Sequence, residues 1–203
     1  MAHSVLKERF NSLRSIRIFD TRNGLWDHCI SEIGASQKIT YVEFGVHTGV
    51  SIKYFAQHNT NKDSVFVGLD SFEGLPEDWG VLKKGEFDVK GAIPKTDDAR
   101  IVFIKGWFQN TWNQLSPMLT TADALIVHYD ADLYSSTLFA LSQIDSVKQP
   151  YIAIFDEFTG HEARALYNYL HAFNASVSFL GQVIVADYPI HVLCKITPNQ
   201  SVS

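Results

Sequence analysis

The stretch YVEFGVHTGVSIKYF, Tyr41–Phe55, decides how the rest of the chain is read. It opens with aromatic and β-branched residues, which suit a pleated, buried strand. The apolar run then carries a carboxylate, Glu43, where burial should be deepest. Gly45 and Gly49 follow, and a helical pattern starts directly after them. A strand, a glycine turn and a helix are the opening of a strand–helix–strand unit.

Working outward, the same texture recurs. The runs ITYVEF, SVFVGLD, RIVFIKG, ALIVHYD and YIAIFDE are too short for typical helices and rich in Val, Ile, Phe and Tyr. Most are apolar at consecutive positions, as strands covered on both faces are. Between them VSIKYFAQH, STLFALSQI and EARALYNYLHAF suit helices. Such alternation predicts a parallel α/β sheet with right-handed crossovers. The end differs: SVSFLGQVIVADYPIHVLCKI reads as two antiparallel strands turning at Asp187-Tyr188-Pro189. The expected fold is a Rossmann-like α/β sheet of seven strands, mostly parallel, with a C-terminal hairpin and helices on both faces.

Residues 1–36 carry two helical patterns, one marked by Val5, Phe10, Leu13 and Ile16. The other is marked by Leu25, Trp26, Cys29 and Ile33 and ends near Gly34. No linker or repeat divides residues 1–203, so one domain is expected. Residues 71–100 break the rhythm and hold four of the twelve glycines. With Phe72, Leu75, Trp79 and Phe87 to pack with, this segment is read as a lid over a site.

Composition bounds the function. The chain is 46% hydrophobic and 19% charged, as soluble globular proteins are, and its net charge of −5 is the wrong sign for general nucleic-acid binding. No apolar run is long enough to span a bilayer, and the N-terminus lacks a signal-peptide core. Only Cys29 and Cys194 occur, which argues against a disulfide framework and fits a reducing cytoplasm. The expected partner is a small molecule; a homo-oligomer is compatible with the sequence.

Ligands of open α/β sheets bind beyond the carboxyl ends of the strands. Glu43 and Gly45 fall at that end of the first predicted strand, Asp70 at that end of the second. Gly45 would allow a ligand close to the backbone, and Gly49 a tight turn into the helix. The pattern is E-x-G-x-x-x-G; a dinucleotide fingerprint would be G-x-G-x-x-G, and here His47 takes its middle glycine. Glu43 suits a cation better than a pyrophosphate, while Asp70 can accept a ribose diol. A nucleoside with a positive tail is indicated, and S-adenosylmethionine has that chemistry.

Further acids follow. Asp130 ends ALIVHYD, with Asp132 close behind, and Asp156 and Glu157 end the next strand. Asp130, Asp156 and Glu157 at one edge would suit Mg²⁺ or Ca²⁺ rather than zinc, whereas the same acids also stand where helix caps do. Asp132 is read as a cap only. His128 is read as a hydrogen-bonded core residue. His161, at a helix start beside Asp156 and Glu157, is a candidate for touching substrate. His3, His28, His58, His171 and His191 form no constellation.

The segments VEFGVHTGVS, LDSFEGLPEDW, FIKGWFQNTW, HYDADLYSSTLFAL and IFDEF come in an order that resembles macrocin-type O-methyltransferases. These are class I S-adenosylmethionine-dependent enzymes that methylate sugar hydroxyls of antibiotics. The resemblance covers roughly residues 38–170. It implies that Glu43, Gly45, Thr48, Gly49 and Ser51 surround the methionine part of the cofactor, and that Asp70 and Ser71 bind its ribose. Gly106, Trp107 and Phe108 would lie near the adenine or line the pocket. Asp130, Asp156 and Glu157 would hold magnesium, with Asp130 as general base. The family usually reads Asp-Gly-Asp where this chain has Asp130-Ala131-Asp132, and Asp-Asp-Tyr where it has Asp156-Glu157-Phe158. The implied activity is Mg-assisted O-methylation of a sugar or other small molecule. The alternatives are a metal-independent methyltransferase and an inactive cofactor-binding protein of the same fold; a nicotinamide oxidoreductase is disfavoured by Glu43 and His47.

Overall fold

The computed structural model describes residues 15–119 and 124–200, together with Phe10 and Leu13. The helical pattern expected from Val5 lies largely outside the described residues, although Phe10 and Leu13 are both buried. The chain runs β1 (Ile18–Phe19), α1 (Arg22–Ile33), β2 (Ile39–Phe44), α2 (Val50–His58), β3 (Val65–Asp70), β4 (Ile101–Lys105) and α3 (Phe108–Leu115). It continues through β5 (Ala124–Tyr129), α4 (Tyr134–Ile144), β6 (Tyr151–Phe155), α5 (His161–Ala172), β7 (Ser176–Val185) and β8 (Tyr188–Thr197).

The strands form one sheet in the order β1-β7-β8-β6-β5-β2-β3-β4. Strands β2 to β6 pair in parallel, and β8 lies antiparallel between β6 and β7. The sheet thus has eight strands rather than the seven expected. The extra one, β1, is two residues pairing with Gln182 and Val183 of β7, too short to carry a period-two pattern. The hairpin turn is Ala186-Asp187, both with positive φ, while Tyr188 and Pro189 already belong to β8. A two-residue turn with both central φ values positive matches the right-handed twist of its strands. The sequence reading placed the turn too late because it followed the proline.

The strand residues alternate between two apolar layers. Val42, Phe44, Val127, Tyr129 and Phe155 pack under α4 and α5 with Leu141 and Leu166. Ile39, Tyr41, Phe66, Ile126 and Ile154 pack under α1 and α2 with Trp26 and Phe55. Every residue of β2 is buried, so it reads as a continuous apolar run broken only by Thr40 and Glu43. Thr21 starts α1 by accepting the Gly24 amide at 3.1 Å. Cys29 and Cys194 are free, buried thiols. No helix among the described residues is long and apolar enough to cross a membrane.

Strand order reverses between β2 and β5, since β3 and β4 lie to one side of that pair and β6 to the other. A crevice opens beyond the carboxyl ends of strands at such a switch point. Residues 71–100 run over this end of the sheet, with only an isolated Trp79–Leu82 bridge as regular pairing. They are nevertheless tied down. Leu75 donates to Glu86 O at 2.9 Å, Gly91 to Phe72 O at 2.7 Å, and Lys105 Nζ to Gly91 O at 3.0 Å.

Candidate functional site

A cavity of about 690 Å³ occupies the switch point. One wall comes from the turn after β2 (Gly45, Val46, His47) and the end of β3 (Asp70, Ser71). Trp107 and Phe108 at the start of α3 continue that wall. The opposite wall comes from the ends of β5 and β6: Asp130, Ala131, Asp132, Asp156 and Glu157. Segment 71–100 contributes Leu75, Glu77, Trp79 and Phe87 to the lining.

Gly45 is where the two walls meet. It has φ 93°, and a Cβ there would lie 1.8 Å from the carbonyl oxygen of Asp130. The sequence reading assigned this glycine to ligand approach. What comes close to it is the chain's own backbone, because the ladder continues one step past the strands. Gly45 N donates to Leu69 O at 2.9 Å and Asp130 N to Phe44 O at 2.9 Å.

Asp70 is bound to the first wall. Its Oδ2 accepts the amides of Val46 and His47, each at 2.8 Å, and its Oδ1 accepts Phe72 N at 2.7 Å. A carboxylate can accept about four hydrogen bonds, so one position is left for a ligand. Asp70 therefore shapes the Gly45–His47 turn, where the sequence reading gave it only a ribose diol.

Glu43 lies behind this wall and does not line the cavity. Its Oε1 accepts from Ser51 Oγ and lies 3.7 Å from His128 Nδ1. Burial pushes the Glu43 pKa up to about 8, with Asp156 and Asp70 adding to the rise and the Ser51 bond opposing it. His128 is fully buried and its Nδ1 meets Tyr41 Oη at 2.8 Å, the hydrogen-bonded core residue expected. Thr48, Gly49, Ser51 and Gly106 also stand outside the lining. Gly49 starts α2 at φ 74°. His161 is outside it too: its Nδ1 accepts the Tyr134 amide at 3.2 Å, which caps α4.

The second wall is the acidic one. Asp156 is nine-tenths buried, and its Oδ1 lies 3.1 Å from His191 Nδ1 and 3.8 Å from His128 Nε2. Its Oδ2 lies 3.7 Å from Arg22, whose guanidinium rests over Trp26. Burial raises the Asp156 pKa, but His128 and His191 outweigh it and hold the carboxyl well below the usual range. Among the described residues Asp130 has no such partner: burial, then Asp156 and Asp132, push it well up. Burial, then Glu157 and Asp156, push Asp132 up to about 7. Glu157 is raised by burial and Asp156, and its amide donates to Glu162 Oε2 at 3.0 Å.

Three of these residues depart from the sequence reading. Asp132 is no helix cap: Leu133 holds the N-cap position of α4 with no side-chain bond, and Asp132, at φ 57°, forms cavity wall. His191 was given no constellation, yet the antiparallel insertion of β8 sets it beside Asp156. Arg22 reaches the site from α1, at a distance in sequence that no motif spans.

The donor set is all oxygen, which suits Mg²⁺ by type. Its arrangement does not. Among the described residues no three His, Cys, Asp or Glu side chains converge so as to hold a metal ion. Asp156, one of the three expected ligands, faces His191 and Arg22 instead.

By sequence, no protein-family model and no curated protein matches the chain. Solved structures do match. CalS11, a calicheamicin methyltransferase, shares 18% identity over 94% of this chain and 91% of its own, with a TM-score of 0.60. An O-methyltransferase from Bacillus cereus in complex with SAH shares 11% identity over 97% and 90%, at 0.57. TomG of Streptomyces achromogenes, an O-methyltransferase of tomaymycin synthesis in complex with SAM, shares 10% over 98% and 89%, at 0.51. The likeness shows the fold: this chain has the Rossmann-like architecture of these methyltransferases.

Proposed function

We propose that this chain is an S-adenosylmethionine-dependent O-methyltransferase acting on a hydroxyl of a sugar or other small molecule. The observation that carries the reading is the Asp70 carboxylate holding the amides of Val46 and His47 at the rim of a cavity that ends at Asp130. The cavity suits the cofactor's chemistry. Asp70 keeps one acceptor position beside the pinned turn, Trp107 and Phe108 offer aromatic surface, and among the described residues Lys84 is the one Lys or Arg in the lining.

When bound, the cofactor supplies a methyl group on a sulfonium, a leaving group that departs as a neutral thioether. The chain's part is to position and to take a proton. Asp130, at the end of β5, accepts the proton of the acceptor hydroxyl as that oxygen is methylated. Burial and the neighbouring Asp156 raise its pKa, which makes it a stronger base than an ordinary carboxylate. Residues 71–100, tied back on themselves, cover the cavity and exclude water. His161 is left with the α4 cap.

The residues present do not fit the magnesium implied by the family resemblance, because Asp156 faces His191 and Arg22. The test is calorimetry with S-adenosylhomocysteine followed by a radiolabelled methyl-transfer screen of hydroxyl compounds, run with and without EDTA. Binding with chelator-insensitive transfer is expected. No binding overturns the reading. Binding without transfer to any acceptor favours a cofactor-binding protein, and transfer lost in EDTA but restored by Mg²⁺ brings the metal back.

A further inference from the structure

Resting on the methyltransferase reading, we infer that Glu162 is the positioning residue of the acidic wall: its buried carboxyl ties the turn that carries Asp130 and Asp132 to the turn that carries Asp156 and Glu157. Glu162 stands in the first turn of α5 and is fully buried, outside the cavity lining. Its Oε2 accepts the Glu157 amide at 3.0 Å. The Ala131 amide faces the same carboxyl and favours its charged form, in a looser contact than the Glu157 bond. Each of these amides opens a three-residue turn: Leu133 N returns to Ala131 O at 2.5 Å around Asp132, and Thr159 N to Glu157 O at 2.8 Å around Phe158. Glu162 thus does for the acidic wall what Asp70 does for the other, where one carboxylate holds the amides of Val46 and His47.

The two turns are not equally secure. The second is also held by Phe158 N on Ile190 O at 2.7 Å. The first puts Asp132 at φ 57°, the rare and strained form of such a turn. Strain of this kind persists only where the surroundings over-determine it. Glu162 supplies a restraint at Ala131, between Asp130 and Asp132, and borrows its firmness from the better-held turn. Packing alone would not call for a carboxyl at this position. Its Oε1 closes no hydrogen bond. Burial pushes its pKa well up; the Glu157 amide opposes that rise, and Asp156 and Asp132 add to it. An apolar side chain would fill the space without this desolvation cost. What the carboxyl adds is the tie, which fixes where Asp130 stands relative to Asp156.

The test reads residue-by-residue amide exchange by NMR in the full chain, with and without S-adenosylhomocysteine, and then methyl transfer to the acceptor found in the radiolabel screen. Glu162→Ala should speed exchange at Leu133 about tenfold or more relative to the β5 amides, and at Thr159 by less. Glu162→Gln is nearly isosteric and should fold. Its single oxygen can keep the Glu157 amide while its NH₂ meets the Ala131 N–H, so it should speed exchange at Leu133 and spare Thr159. Leu166→Ala leaves a cavity under the same helix; it controls for lost stability and should not single out Leu133. In turnover, Glu162→Ala should lower kcat about tenfold or more with the acceptor KM within about threefold, and Glu162→Gln should lower it less. Affinity for S-adenosylhomocysteine should stay within about threefold in both, because Asp70 holds the cofactor wall. Unchanged Leu133 exchange in both variants, loosening confined to Thr159, or a raised KM with kcat intact each overturns the inference. If the wild-type chain fails to bind S-adenosylhomocysteine, the methyltransferase reading falls and the exchange data still decide the tie; if it binds and Leu133 stays protected in the variants, only this inference falls.

Discussion

Replacing Gly45 with alanine tests whether the two walls of the cavity are built against each other. Two glycines make a controlled pair. Gly34, which ends α1, has φ 95°, and a Cβ there would meet nothing within 4 Å. Gly45 has φ 93°, but its Cβ would lie 1.8 Å from the Asp130 carbonyl oxygen and 2.8 Å from its carbonyl carbon. Gly34→Ala therefore serves as a control that carries positive-φ strain, about 1–3 kcal/mol, without a clash. The entropy that alanine removes from the unfolded chain, about 0.4–1 kcal/mol, cancels between them. What remains is the clash. The end of β5 must retreat by more than an ångström, and it is anchored by Asp130 N to Phe44 O at 2.9 Å. Overpacking of this kind costs about 1–3 kcal/mol. Urea denaturation of the unliganded variants should therefore place Gly45→Ala about 2 kcal/mol below Gly34→Ala, with equal m-values. Gly45→Ala should also lose product-cofactor binding, while Gly34→Ala keeps it. Equal destabilisation within about 0.5 kcal/mol, with binding intact in both, would refute the close approach and everything built on it.

Asp70→Ala removes the acceptor of three amides; S-adenosylhomocysteine affinity should fall at least tenfold by calorimetry, with about 1–3 kcal/mol of stability lost from amides left unpaired. Glu43, raised from 4.5 to about 8, is protonated in the fold over a window where the unfolded chain is ionised. The unfolded state binds fewer protons there, so Glu43 makes stability fall as pH rises from about 4.5 to 8, by at most about 1.4 kcal/mol per unit. Glu43→Gln should flatten that fall in pH-dependent denaturation; an unchanged slope would show Glu43 ionised in the fold. His161→Ala should cost about 0.5–1 kcal/mol through the lost α4 cap and leave methyl transfer intact, and a collapse of turnover without loss of stability would return His161 to the chemistry. Hydrogen exchange across residues 71–100 should slow when S-adenosylhomocysteine binds; identical exchange in both states would rule out a cofactor-driven cover.

Several features followed from the sequence alone because they are local. Runs such as ALIVHYD and YIAIFDE carry their own burial pattern, so strands β2 to β6 and helices α2, α4 and α5 were legible from periodicity, whereas α3, Phe108–Leu115, was not. Right-handed crossovers then fixed that Gly45, Asp70, Asp130 and Asp156 share the carboxyl edge of the sheet. The cavity lies at that edge, lined by these same residues. Other features were decided by pairing between distant segments, which no window contains. The antiparallel insertion of β8 next to β6 brings His191 to Asp156, and α1 packing on the sheet brings Arg22 to the same carboxylate. Glu43 looked like a ligand-facing acid because its strand end was right. Side-chain alternation instead turns it to the α1 and α2 layer, against Ser51 and His128. A spacing pattern tells which strand end a residue occupies; which carboxylates keep a free charge depends on the cations that the folded chain sets beside them.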